Sequence, residues 1–188
     1  MNRNGKNAEE TGMDKTGTKA HTAGRTRQLH PFPPLYDERS RVLILGSFPS
    51  VKSREASFFY AHPQNRFWRV LAALFDTAVP QTVEEKTALV LGSRLALWDV
   101  IGSCEIAGSS DASITNVQPN DLRPILDAAD IRAVFCNGGT SFRYYRSLCE
   151  KALGREAVCL PSTSPANARW SLEQLTKTWG EQILPHLR

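Results

Sequence analysis

A parallel β-sheet covered by helices on both faces is the fold class this sequence predicts, and two observations carry it. Four short apolar runs, at residues 42–47, 95–100, 131–136 and 157–160, have the character of fully buried strands. Between them lie segments whose apolar residues recur at helical spacing, so strands and helices alternate along the chain. At 188 residues, one compact domain with a core of ordinary density accommodates all of them.

The first 29 residues hold almost no large apolar side chain and are rich in Gly, Thr, Asn and charge. They cannot bury enough surface to offset the entropy of ordering the chain, which predicts a disordered basic tail over 1–29 and a folded domain over 30–188. The HPFPP run at His30–Pro34 marks the domain entrance. Val42–Ser47 is the first strand, and Arg66–Phe75 the first helix, with Phe67, Trp68, Val70, Leu71, Leu74 and Phe75 on its apolar face. A helix over Val83–Leu91 and a strand over Leu95–Val100 follow. The polar stretch Ser103–Asn120 reads as a long functional loop. Asn120 or Asp121 is suited to cap a short helix reaching Ala129. Then come the strand Ile131–Cys136, a Gly138-Gly139 turn, a helix over Phe142–Leu153, the strand Ala157–Leu160 and a last helix burying Leu172, Leu175, Trp179 and Ile183.

A formal charge of +4 and a pI near 9.0 permit an anionic partner without requiring one. The four cysteines, Cys104, Cys136, Cys149 and Cys159, form no CxxC pair; they read as buried reduced thiols, and their spacing argues against zinc or an iron–sulfur cluster. No apolar run is long enough for a bilayer and no signal peptide is evident, so a soluble cytoplasmic protein with no membrane partner is expected.

Gly46 ends the first buried strand where a parallel sheet presents its ligand crevice. The run GSFPSVKS at Gly46–Ser53 is one residue short of the phosphate-binding pattern GxxxxGK[ST]. Val51 stands where its second glycine would be and Pro49 removes an amide donor, which argues against nucleotide hydrolysis.

Three segments, GSFPS at Gly46–Ser50, FYAHPQNRFW at Phe59–Trp68 and PSTSPANA at Pro161–Ala168, resemble motifs of the uracil-DNA glycosylase superfamily in the expected order. The set is most similar to the hypoxanthine (deoxyinosine) branch and spans roughly residues 30–188. The resemblance implies a three-layer α/β/α sandwich around a central four-stranded, mostly parallel sheet. It also implies an enzyme that extrudes a damaged nucleotide and hydrolyses its N-glycosidic bond without metal or cofactor.

In the uracil enzymes the third residue of the first motif is an Asp or Asn that handles water; here it is Phe48. The resemblance therefore assigns catalysis to Asn65, whose amide can orient water through its oxygen or stabilise a departing purine through its NH2 group. A helix N-cap is the structural alternative for Asn65. Asp99 and Asp111 are secondary candidates as water ligands. Tyr60 is the expected stacking residue, Phe48 the second choice, and Gly46 and Ser47 complete the base-binding set; Phe58 and Phe59 read as core. His62 is expected to tighten its loop by a hydrogen bond. Ser50, Lys52, Ser162, Ser164, Asn167 and Arg169 are the expected DNA contacts, with Arg54, Arg66, Arg69, Arg143 and Arg146 as further basic candidates. Leu160 stands where uracil enzymes often carry a histidine, which weakens stabilisation of a uracil anion.

The reading is a monomeric, monofunctional glycosylase acting on DNA that contains deaminated bases, principally hypoxanthine. Uracil or xanthine specificity, or a non-catalytic damage-binding module, are the alternatives.

Overall fold

The computed structural model describes residues 25–106 and 113–188. In chain order the elements are β1 (Thr26–Leu29), β2 (Val42–Gly46), α1 (Val51–Ala56), α2 (Phe67–Leu74), α3 (Val83–Gly92), β3 (Leu95–Asp99), β4 (Ile101–Ile106) and β5 (Thr115–Pro119). They continue with α4 (Arg123–Ala128), β6 (Ala133–Asn137), α5 (Gly139–Tyr145), α6 (Lys151–Leu153), β7 (Val158–Leu160) and α7 (Leu172–Ile183). The main sheet has the order β3-β2-β6-β7 with every neighbouring pair parallel.

Alternation along the strands builds the three layers. Val42 and Ile44 point into one core with Leu95, Leu97 and Phe135, covered by Phe67 and Leu71 of α2 and by Leu175, Trp179 and Ile183 of α7. Leu43 and Leu45 point into the other with Ala96, Val134 and Cys136, covered by Ile125 of α4 and Tyr145 of α5. All five residues of β2 are buried, as a central strand between two helical layers must be. Because β2 lies between β3 and β6, the chain leaves it in opposite directions, and the carboxyl ends of β2 and β6 flank a topological switch point.

The four predicted strands of this sheet are present with their boundaries shifted by one or two residues. The predicted tail differs at its end: Thr26–Leu29 is β1, paired antiparallel with β4, while residues 1–24 lie outside the described residues. Ser103–Asn120 is not a loop throughout. β4 and β5 form an antiparallel pair with register shifts at Ile101/Ser103 and Ser103/Glu105, and together with β1 they make a second, three-stranded sheet. Those irregularities, and the small polar residues between Ile101, Cys104 and Ile106, hide the strand period. Residues 107–112 lie outside the described residues, and with them the candidate Asp111 and most of the Ser109–Asn116 stretch.

Helix α1 was not foreseen, since only Ser53 of VKSREA is buried and no apolar stripe marks it. Its signal is Ser50, whose Oγ accepts from Ser53 N at 3.2 Å. Neither predicted cap of α4 serves as one: Leu122 occupies the N-cap position without a side-chain bond, and Asn120 instead donates Nδ2 to Asp99 O at 2.9 Å. The helix predicted over 142–153 starts earlier, at Gly139, and α5 joins α6 through a π turn at Arg146–Glu150. Cys104, Cys136 and Cys149 are buried thiols, and burial pushes Cys136 up to about 12 and Cys149 up to about 11. Cys159 is exposed instead, at the wall of the crevice described next. No helix among the described residues is long and apolar enough to cross a membrane.

Candidate active site

A crevice of ≈ 860 Å³ opens at the carboxyl ends of the main strands, lined by Gly46 of β2, Asp99 of β3, Asn137 of β6 and Leu160 of β7. All four are the last residues of their strands, where a parallel sheet presents its ligand crevice; Leu160 contributes an apolar wall. The turn after β2 adds Ser47, Phe48 and Ser50, the aromatic loop adds Phe59 and Tyr60, and the loop after β7 adds Ser162, Ser164, Asn167 and Arg169. The three sequence motifs thus converge on one cavity.

Gly46 is required by close approach. A Cβ there would stand 2.0 Å from Asp99 Oδ1 and 3.2 Å from Tyr60 Oη, and Asp99 cannot swing away because its Oδ2 is held by His30 Nε2 at 2.8 Å. Gly46→Ala is therefore expected to displace the crevice floor, costing about 1–3 kcal/mol of stability and most of the activity. Chemical denaturation and single-turnover assays on the same preparation would check both.

Tyr60 has a left-handed backbone, φ 50°, uncommon for a bulky residue. The loop is over-determined around it: Ala61 N donates to Ser53 Oγ at 3.2 Å, and one face of the Tyr60 ring stacks on Phe67 with centroids 3.9 Å apart. The Tyr60 ring is thus held in place before any ligand arrives. Phe48 also lines the crevice but packs with Ile101, Cys104, Ile106 and Ile114, with the Arg54 guanidinium 5.8 Å from its ring centre. Phe59 is buried against Phe32 and Phe58 lies parallel to Trp68, so the expectation that both are core residues agrees with their positions. His62 Nδ1 accepts from Gln64 N at 3.2 Å, a bond internal to its loop.

Asn65 is half-buried behind Thr163 and does not line the crevice. Its Oδ1 accepts from Phe67 N at 3.0 Å and from Thr163 Oγ1 at 2.9 Å. The amide orientation is forced, since a backbone N–H can only donate. Thr163 itself is fully buried; its N donates to Asn137 Oδ1 at 2.9 Å, and its Oγ1 accepts from Asn137 Nδ2 at 2.9 Å. A relay therefore runs from Asn137 at the end of β6 through Thr163 to Asn65 at the start of α2. Asn137 was missed in the sequence, although an Asn after a buried apolar run and before Gly-Gly stands where a parallel sheet presents ligand groups. Gly138, at φ +97°, lets Ser162 approach, since a Cβ there would meet Ser162 Cβ at 2.8 Å.

Arg66 is not a free basic side chain. Its Nη2 donates to Ser164 O at 2.9 Å and to Asn167 O at 3.0 Å, its Nε to Thr163 O at 3.4 Å, and its Nη1 to Trp170 O. The guanidinium organises the loop between β7 and α7 from beneath. Within that loop Ser162 Oγ accepts from Ser164 N and Ser164 Oγ from Ala166 N, which leaves both hydroxyl protons to donate outward. Asn167 Nδ2 is occupied by Ser162 O at 2.9 Å. Arg169 is exposed at the rim, and Lys52, outside the crevice lining, is exposed and paired with Glu55 at 2.8 Å, a surface pair of small worth. Among the described residues, no group of three or more His, Cys, Asp or Glu is placed to hold a metal ion.

His30 and Asp99 form a buried pair beneath this surface, with side chains 4% and 7% exposed. His30 Nδ1 lies 2.8 Å from Phe32 O, an atom that only accepts, so Nδ1 carries a proton. A second proton lies between Nε2 and Oδ2.

Known proteins resemble this chain over most of its length. A "Hypoxanthine DNA glycosylase" of Methanosarcina acetivorans is 33% identical over 141 residues, covering 74% of this chain and 89% of its own. Another of that name, from Methanosarcina barkeri, is 32% identical over 152 residues, covering 80% and 94%. A solution NMR structure from Methanosarcina acetivorans matches with a TM-score of 0.70 at 30% identity, covering 83% of this chain and 96% of that one. The family model of the uracil DNA glycosylase superfamily matches residues 33–188, a span that holds all three motifs and every strand of the main sheet, and to that superfamily the chain belongs.

Proposed function

We propose that the protein is a monofunctional DNA glycosylase that extrudes deaminated bases, principally hypoxanthine, and hydrolyses their N-glycosidic bond. The observation carrying this reading is the agreement of relatives so named, aligned over most of their length, with a crevice into which all three motifs project. Water adds to C1′, the base leaves with the bonding electrons, and the water proton goes to solvent or to the departing base. An oxocarbenium-like sugar needs a positioned water more than an activated one.

In this reading Phe48 stacks on the flipped base; Tyr60, one face of whose ring is taken by Phe67, meets the base at its edge through Oη, and Ser47 and Gly46 complete the pocket. Asn65, outside the crevice lining, is assigned to the leaving base by its motif position; both acceptor positions of Oδ1 are occupied, so it acts through Nδ2, which the loop must carry inward when DNA binds. Ser162 and Ser164 donate to phosphates, while Ser50, Lys52 and Arg169 contribute at the rim. Asn167 supports the same loop from within. The protein works as a monomer in the cytoplasm, its crevice mouth open to a duplex.

The test is a panel of duplexes each carrying one hypoxanthine, uracil, xanthine or adenine, with base release measured at neutral pH. Hypoxanthine is expected to be released fastest and adenine not at all. Release of uracil with hypoxanthine left intact would overturn the substrate assignment, and binding without any release would overturn the enzyme.

A further inference from the structure

The crevice floor sets a hydrogen-bond donor beside an acceptor over one point of the backbone. Tyr60 Oη and Asp99 Oδ1 both overlook Gly46, at 3.2 and 2.0 Å from where its Cβ would be. Tyr60 Oη is buried and makes no well-formed hydrogen bond among the described residues; the Asn137 side chain lies beside it, but both Asn137 Oδ1 and Nδ2 are engaged by Thr163. Burial, reinforced by the nearby Asp99 carboxylate, pushes its pKa well above the ordinary phenol value, so the hydroxyl keeps its proton and serves as a donor. A buried donor without a partner calls for an acceptor that arrives with a ligand.

Asp99 supplies the opposite character. Its Oδ2 is taken by His30 Nε2, while Oδ1 receives no hydrogen bond among the described residues. His30 holds two protons or shares the second with Asp99, so the pair is neutral as a whole and tolerates burial without an uncompensated charge. His30 lies just before residue 33, where the match to the superfamily begins. It is delivered by β1, which pairs with β4 from Thr26↔Ile106 to Leu29↔Ser103, and by the bond from His30 N to Gly102 O at 2.8 Å.

We infer that Tyr60 Oη and the His30–Asp99 pair read the lactam edge of the extruded base, an N–H adjacent to a C=O. Tyr60 donates to the carbonyl oxygen, Asp99 Oδ1 accepts from the ring N–H, and His30 is the positioning residue that fixes which carboxylate oxygen faces the base. Deamination creates this edge: adenine, with an amino group beside an unprotonated N1, becomes hypoxanthine, with O6 beside N1–H, and cytosine becomes uracil in the same way. Unmodified adenine would set donor against donor at Tyr60 and lone pair against lone pair at Asp99, leaving buried polar groups unpaired on both sides. This inference rests on the glycosylase reading and names what separates hypoxanthine from adenine and uracil from cytosine; guanine and thymine carry the same edge, so their exclusion falls to other groups.

The experiment compares single-turnover release of hypoxanthine with release of unsubstituted purine, which lacks both O6 and N1–H, from otherwise identical duplexes. Wild type, Tyr60→Phe, Asp99→Asn and His30→Gln are measured. Difference in leaving-group ability cancels when the hypoxanthine-to-purine rate ratio of each variant is divided by that of wild type. Asp99→Asn leaves His30 Nε2, whose Nδ1–H is held by Phe32 O, to accept from the amide NH2, so an uncharged oxygen replaces the carboxylate oxygen at the crevice. Its ratio should fall about 3–10-fold as the acceptor loses its charge, and that of Tyr60→Phe about 10–100-fold, the cost of leaving a buried carbonyl without a donor; His30→Gln should fall by no more than Asp99→Asn and in the same direction. Equal slowing on both bases, or an unchanged ratio, would sink the recognition role. Should the Asp99 variant fail to fold, Tyr60→Phe decides alone. A wild-type protein that releases neither base would overturn the glycosylase reading itself, which is a different result.

Discussion

Asn65→Asp is expected to lower the single-turnover rate of hypoxanthine release by about 10²–10³-fold, the loss typical of removing one preorganised donor from a site where negative charge develops. The substitution is chosen because Asp keeps what the structure shows Asn65 doing. One carboxylate oxygen still accepts from Phe67 N and Thr163 Oγ1, now 3.0 and 2.9 Å from Oδ1, and Asp serves a helix start as well as Asn does. The NH2 group is lost, together with its ability to stabilise the leaving base, and a carboxylate charge is gained that also opposes negative charge on that base. Thermal unfolding should accordingly shift little while base release collapses, and affinity for a lesion duplex should fall modestly, by an amount that added salt reduces. Wild-type turnover in Asn65→Asp would make Asn65 a cap and tether alone. Asn65→Ala is less informative, because it removes the cap, the tether and the donor together.

What could be read from the sequence, and what could not, follows from the range of the interactions involved. The strands of the main sheet are continuous apolar runs, so burial on both faces announces them locally. The crevice could be placed because Gly46 follows directly on one of those runs. By contrast β4 needs β1 and β5 beside it to be recognised as a strand, and its bulges and small polar residues erase the alternation that would have shown it. His30 sits in what reads as a domain entrance, and only the β1–β4 pairing carries it to Asp99, 69 residues away in sequence. Thr163 looks like one hydroxyl in a serine-rich loop until the fold brings it against Asn137 and Asn65. Arg66 has the same history: basic residues beside a DNA-directed motif suggest phosphate contacts, and only the returning loop reveals that its donors point inward.

That inward orientation makes Arg66→Lys the second large effect. The guanidinium is a flat fork whose donors reach the carbonyl oxygens of Thr163, Ser164, Asn167 and Trp170 at once. A lysine ammonium is a compact charge with three donors and no planar fork, so it cannot serve the same set. The expected cost is about 2–4 kcal/mol from carbonyls left without a charged donor, read as a lower denaturation midpoint with an unchanged slope. Hydrogen exchange should quicken across residues 161–170 and much less in β2 and β3. Because Ser162 and Ser164 sit on that loop and Thr163 tethers Asn65, DNA affinity and base release should both fall even where the protein is fully folded. A simple phosphate contact predicts otherwise: weaker binding that added salt mimics, no change in stability and no change in loop exchange. Arg169→Ala, at the exposed rim of the same loop, serves as the internal comparison, since it should show that second pattern while Arg66→Lys shows the first.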